Sequence, residues 1–143
     1  MIHIWPDRTS IMRLLFVCVG NSCRSQMAEG IARSLGHDAA SAGTHPATEV
    51  SPNAVLVCAE IGIDISNQQP KSVDNFSADD WDAVISMGCG VSCPAMKIDE
   101  DWELDDPHGQ SIEVFRETRD AIRDRIVRST FGRFSSQLQL TDG

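Results

Sequence analysis

Cys18 and Arg24 are separated by five residues in the run Leu-Leu-Phe-Val-Cys-Val-Gly-Asn-Ser-Cys-Arg-Ser-Gln, Leu14 to Gln26. A thiol at the start of a short loop and a guanidinium at its end suit one kind of ligand. A loop wrapped over a helix start aims several backbone N–H groups at one point, which fits a tetrahedral oxyanion. Val19, Gly20, Asn21, Ser22, Cys23 and Ser25 are the remaining candidates for that cradle, and Arg24 adds a planar two-donor clamp. The same dipoles and charge favour thiolate over thiol at Cys18, making it a nucleophile near neutral pH. Cys23 lies inside the loop and is expected to face the core.

Three further cysteines, Cys58, Cys89 and Cys93, bring the total to five. An odd set without scaffold density points to redox or catalytic use in a reducing compartment, hence a cytoplasmic protein. Cys58 falls on an apolar helical face and reads as packing. Cys89 and Cys93 lie in Gly-Cys-Gly-Val-Ser-Cys-Pro, after an apolar strand. Their Cys-x(3)-Cys spacing lacks the usual zinc pattern and a second ligand pair, so no metal site is expected.

These residues need a frame that brings them together. Leu14 to Val19 reads as a central parallel strand, apolar on both faces. Gly20 and Asn21 tolerate the positive φ of a tight loop. From Ser25 onward, Met27, Ile31 and Leu35 recur at four-residue spacing, and Gly36 stops the helix. Ala39 to Gly43 is a short second strand, and Ser51-Pro52 starts a second helix that Gly62 ends. Ser77 to Asp80 reads as one acidic helical turn, Ala83 to Met87 as a third strand, and Trp102 to Leu104 as a brief fourth. A turn-rich loop, Asp105 to Gly109, precedes Ser111, which caps a long final helix. That helix places Ile112, Phe115, Ile122 and Ile126 inward and its Glu, Arg and Asp residues outward. The alternation predicts a three-layer α/β/α domain around a four-stranded parallel sheet, with its site at the carboxyl edge.

The whole chain limits the alternatives. Its 143 residues suffice for one domain, expected over 14–129, with a disordered lead-in at 1–13 and a frayed tail at 130–143. The net charge of −9 argues against nucleic acid as a partner. No apolar run reaches the ~18 residues of a membrane span, and the first residues lack a signal-peptide core.

Cys18 to Gly30, reading CVGNSCRSQMAEG, resembles the anion loop of the low-molecular-weight protein tyrosine phosphatase fold, and specifically its arsenate reductase branch. Ser41 to Thr44 (SAGT), Gly62 to Ser66 (GIDIS), Asp101 to Pro107 (DWELDDP) and Ser111 to Asp120 strengthen the likeness. The resemblance implies Cys18 as nucleophile, Arg24 and the loop amides as oxyanion clamp, and Asp106 as general acid. It implies Ser25 as the hydroxyl that stabilises the thiolate and Asn21 as the keeper of loop shape. Chemistry agrees, because displacing oxygen from phosphorus or arsenic needs a proton on the leaving atom. Asp105 is expected to be solvated or a loop brace, and His108 is given no role.

A phosphatase of this fold follows its Asp-Pro with aromatics that flank the substrate ring. Here His108-Gly109 follows Pro107, and the chain contains no Tyr. Reduction of arsenate to arsenite takes two electrons, which thiols supply by forming a disulfide, and Cys89 and Cys93 suit that use. The expected activity is therefore arsenate reduction, with phosphate and sulfate as competing anions and phosphate ester hydrolysis as the alternative. No bound cofactor is expected, only an external thiol reductant: thioredoxin, glutaredoxin with glutathione, or mycothiol with mycoredoxin. A monomer is expected.

Two departures bear on mechanism. In the thioredoxin-coupled branch two redox cysteines stand seven positions apart, the second just before Pro. Cys93-Pro94 matches the second, whereas Met87 stands near the first position and the nearer thiol is Cys89. Gly88-Cys89-Gly90 instead looks like branches that draw electrons from a low-molecular-weight thiol with a glutaredoxin-like partner. A potassium site known in part of the family is matched at Asn21, Glu29 and Ser41, but its fourth ligand, an Asp, aligns with Lys71. An ammonium there would stand in for the cation.

Overall fold

The computed structural model describes residues 11–88 and 96–142, with side chains as far as 128. Four strands form one sheet in the order β2-β1-β3-β4, and every pairing is parallel. They are β1 (Arg13–Cys18), β2 (Asp38–Gly43), β3 (Ala83–Ser86) and β4 (Glu100–Asp101). β1 is central and has no exposed side beyond its first residue, which is why its sequence is apolar without alternation. In register, Cys18 lies opposite Gly43 and Val17 opposite Ser86, so β1 delivers the thiol at the sheet's carboxyl edge.

Three helices follow: α1 (Arg24–Ser34), α2 (Pro52–Ala59) and α3 (Ile112–Asp142). Their apolar residues join one cluster with Leu14, Phe16 and Cys18, including Met27 and Ile31 of α1, Val57 and Cys58 of α2, and Phe115, Ile122 and Ile126 of α3. Met27 and Ile31 are fully buried, each stabilising by roughly 1.5–3 kcal/mol. Their four-residue spacing turns α1 onto the sheet and so fixes where its N-terminus points. The other face of the sheet carries a thinner layer. Leu15, Val17, Ala40, Val84 and Met96 pack there beneath Val73, Phe76, Ala78, Trp81 and Ile98. Two 3₁₀ turns, Val73–Asn75 and Ala78–Asp80, supply much of this cover, the second where one acidic helical turn was expected.

Two expectations need correction. The fourth strand lies at Glu100–Asp101 rather than Trp102–Leu104. The Trp102 N–H still donates to the Ser86 carbonyl and the Leu104 N–H to that of Met87. Between them, however, Glu103 adopts φ 50° and its N–H turns back to Asp101 Oδ1, which ends the strand. Second, Arg119 does not face outward. It is 8 % exposed, and its Nη1 donates to the Val57 carbonyl and to Glu60 Oε1, tying α3 to α2. The backbone is helical from Ile112 to Asp142, and no Pro interrupts the stretch. No helix among the described residues is long and apolar enough to cross a membrane.

Candidate active site

β1 ends at Cys18 and α1 begins at Arg24, leaving Val19 to Cys23 as the loop between them. The orientation of its peptides can be read from where the carbonyls go. Those of Cys18, Val19, Gly20 and Ser22 accept from the N–H groups of Thr44, His45, Ala47 and Ser51, at 3.2, 2.8, 2.9 and 2.9 Å. The Cys23 carbonyl is taken by Met27 N–H and that of Asn21 by Gln26 Nε2. With the carbonyls turned outward onto the 44–51 segment and the helix, the opposing N–H groups turn toward the loop's interior. The first turn of α1 contributes more: its N-cap, Cys23, makes no capping bond with its side chain, and no acidic residue occupies that turn. Its amides have no acceptor within the helix, so the positive end of the dipole is left for an anion.

Cys18 sits at the floor of this cradle, 3 % exposed. The Asn21 N–H donates to Cys18 Sγ at 3.1 Å, and Ser25 Oγ lies 2.8 Å from the same sulfur. Asn21 adopts φ 51°, a left-handed conformation in which Asn is among the few tolerated residues. Arg24 is buried, with Nη1 donating to the Leu104 carbonyl at 2.6 Å and to that of Met87 at 3.3 Å. Its other terminal nitrogen stands 3.9 Å from Asp106 Oδ2. Asp106 is half-exposed, and its Oδ1 accepts from the His108 N–H at 3.0 Å, an Asx turn that aims the carboxyl at the cradle. Together Cys18, Val19, Gly20, Ser22, Cys23, Arg24, Ala47, Asp106 and His108 line a pocket of about 260 Å³.

Of the expected site residues, Cys18, Val19, Gly20, Ser22, Cys23, Arg24 and Asp106 line this pocket, while Asn21 and Ser25 are fully buried and meet the Cys18 sulfur from behind. Cys89 and Cys93 lie outside the described residues. The residue before them is informative, because Gly88 adopts φ 107° and a Cβ there would stand 2.6 Å from Glu103 Cα. Only glycine allows the chain to leave β3 so close to the loop that carries Asp106. Cys23 is both core and pocket wall; burial raises its thiol above the ordinary range. Cys58, fully buried on α2, is pushed up to about 12 by burial. Among described residues, no group of three or more His, Cys, Asp or Glu could hold a metal ion.

Sequence reasoning missed the 44–51 segment as the loop's outer support and His108 as a wall residue. It also missed Gln26, whose Nε2 touches Asn21 Oδ1 and two backbone carbonyls at 3.0 Å. No local pattern marks any of the three, since each is defined by its partners far along the chain.

The family profile for low molecular weight phosphotyrosine protein phosphatase matches residues 13–130. A glutaredoxin arsenate reductase of Synechocystis sp. is 47 % identical over 121 residues, covering 80 % of this chain and 92 % of that protein. The chain belongs to the low-molecular-weight phosphotyrosine protein phosphatase family, on its arsenate reductase side. An arsenate reductase of Staphylococcus aureus is 37 % identical over 120 residues, covering 77 % of this chain and 89 % of that one. A solved arsenate reductase in the phosphate-binding state superposes with a TM-score of 0.78 at 45 % identity, over 85 % of this chain and 98 % of that one. The phosphatase-family architecture explains the cradle; among the described residues no Phe, Trp or Tyr lines the pocket, which suits a small oxyanion better than an aryl ester.

Proposed function

We propose that this chain reduces arsenate to arsenite with thiol electrons, and that its residues divide the work as follows. The observation that carries the reading is the convergence of Cys18, Arg24 and Asp106 on one pocket whose backbone donors face inward. Arsenate is held by the amides from Val19 to Ser25 and by Arg24. The Cys18 thiolate attacks arsenic, an S–As bond forms, and an As–O bond breaks. Asp106, held by the His108 amide, gives its proton to the leaving oxygen, which departs as water. A second thiol then attacks Cys18 Sγ. A disulfide forms, the S–As electron pair stays on arsenic, and arsenite is released.

The second thiol is Cys89, which then passes the disulfide to Cys93, or an external low-molecular-weight thiol that reaches the adduct first. Gly88 supports this assignment, since it starts the thiol-bearing segment against Glu103, beside the carbonyls that hold Arg24. The reductant is glutathione with a glutaredoxin-like protein, a reading supported by the name of the 47 % identical relative and by the Gly88-Cys89-Gly90 pattern. Purified protein supplied separately with thioredoxin, glutaredoxin plus glutathione, and mycoredoxin plus mycothiol tests both statements. Arsenite release is expected with the glutaredoxin system. Rapid aryl phosphate hydrolysis without arsenite from any reductant would reverse the reading in favour of a phosphatase.

A further inference from the structure

Behind the cradle, on the side away from the pocket, a line of buried amides runs to the nucleophile. Gln26, Asn21 and Ser25 are each 0 % exposed. Backbone groups, whose donors and acceptors are fixed, orient the whole line. The Lys71 N–H donates to Asn21 Oδ1 at 2.8 Å, so that atom is the oxygen and Nδ2 is the end facing Ser25 Oγ, at 2.8 Å. Ser25 Oγ therefore accepts from Asn21, and its own hydrogen is free to point at Cys18 Sγ, 2.8 Å away. Gln26 Nε2 faces the Asn21 and Gln69 carbonyls as well as Asn21 Oδ1, all at 3.0 Å, so it is the NH2 end. Its Oε1 is left to accept from Gln68 Nε2 at 2.7 Å.

We propose that Gln26 is a positioning residue for the sulfur nucleophile: by donating to Asn21 Oδ1 beside the Lys71 N–H, it holds the amide in the place from which Nδ2 makes Ser25 a donor to Cys18. This rests on Cys18 being the nucleophile, but not on the substrate being arsenate. The role is orientational because Gln26 touches neither the sulfur nor the pocket. With an acceptor in place of its NH2, Asn21 Oδ1 keeps the Lys71 N–H but meets a second oxygen, which pushes the amide away and draws Nδ2 off Ser25 Oγ. The serine hydroxyl is then no longer held as a donor, and the thiolate loses one of its two donors. Gln68 acts one step further out, by holding Gln26 in its rotamer.

The isosteric Gln26→Glu variant tests this through the alkylation rate of Cys18 by iodoacetamide, followed from pH 5 to 10 without arsenate. Fragment masses separate Cys18 from Cys23. The expected result is about ten-fold slower alkylation at pH 7, with the whole pH profile displaced to higher pH and the alkaline plateau unchanged. Gln68→Leu should displace the profile in the same direction by about three-fold in rate, and it serves alone if Gln26→Glu does not fold. A profile that superposes on the wild type in a folded variant overturns the proposal. So does a loss of rate that is equal at every pH, because that marks a distorted loop rather than a lost donor. Since no arsenate is present, failure here leaves the reductase reading standing, and failure of arsenite release leaves this result intact.

Discussion

Cys18 and Cys58 are the same residue type, both belong to one apolar cluster, and their exposures are 3 % and 0 %. Their surroundings differ in only one respect that matters, the supply of donors. Cys58 lies on α2, where burial outweighs the charge of the nearby Arg119 and pushes its thiol up to about 12. Cys18 ends a strand, where the loop brings the Asn21 N–H and the Ser25 hydroxyl to the sulfur and the start of α1 lies just beyond. Depth alone therefore does not decide what a cysteine does. The polar groups that the backbone carries to it decide, and a helix interior has none to spare while a strand-to-helix loop has several.

The largest test of that contrast is the pair of serine substitutions. Cys18→Ser should lower arsenite release by more than about 10³-fold, because the other thiol at the pocket, Cys23, is held protonated by burial. Cys58→Ser should keep its turnover and lose only about 1–2 kcal/mol of stability, as a hydroxyl replaces a thiol in an apolar site. If the two variants lost activity equally, the contrast would be void. Next in size is Asp106→Asn, which keeps the shape of the Asx turn but removes the proton. Arsenite formation in a single turnover should fall by about 10²–10³-fold while arsenate still protects Cys18 from alkylation. A fall below ten-fold would mean that the proton comes from elsewhere.

How much of this was legible in the sequence differs between the two cysteines as well. The apolar run into Cys18, the Met27-Ile31 spacing and Gly36 place β1 and α1 correctly, because burial on both faces and helical periodicity leave a local signature. Cys58 on its apolar face was equally plain. What stayed hidden depends on partners distant in the chain. Gln26 looks like any polar residue in a first helical turn, and only Gln68, Gln69 and Asn21 make it a strut. Arg119 reads as a solvated charge until the Val57 carbonyl and Glu60 claim it. β4 was displaced because Glu103, which carries no glycine-like signal, takes a left-handed turn. Cys89 and Cys93 fall outside the described residues.

An alkaline titration sharpens the contrast from the side of Cys58. Its folded value of about 12 lies above the ordinary thiol range near 9, so folding favours the protonated form. The stability this lends is fully present below about pH 9 and is lost as pH rises toward 12, because only the unfolded thiol ionises in that window. Wild-type unfolding free energy should therefore fall with pH above 9 by up to ~1.4 kcal/mol per unit more steeply than that of Cys58→Ser. Parallel slopes in denaturant titrations at pH 8.5, 9.5 and 10.5 would show that Cys58 is not shielded as the structure has it.

The smallest expected effect concerns the charge behind the Cys18 loop. Glu29 is 2 % exposed, and both its oxygens are engaged. Oε1 takes the Ser41 hydroxyl at 2.6 Å and faces Lys71 Nζ at 3.4 Å, while Oε2 pairs with Arg33 at 3.1 Å. An ammonium and a guanidinium thus neutralise a carboxylate that a soluble cation would otherwise have to reach, and the Lys71 backbone on the same segment holds Asn21. Donors that belong to the chain leave little for an ion to add. Exchanging sodium for potassium at constant ionic strength should change kcat/KM for arsenate by less than about two-fold, and Lys71→Ala should make the enzyme respond. A several-fold rise in the wild type on adding potassium would mean that the Lys71 ammonium does not fill the cation's place, and that the Cys18 loop is held in shape by an ion as well as by its own amides.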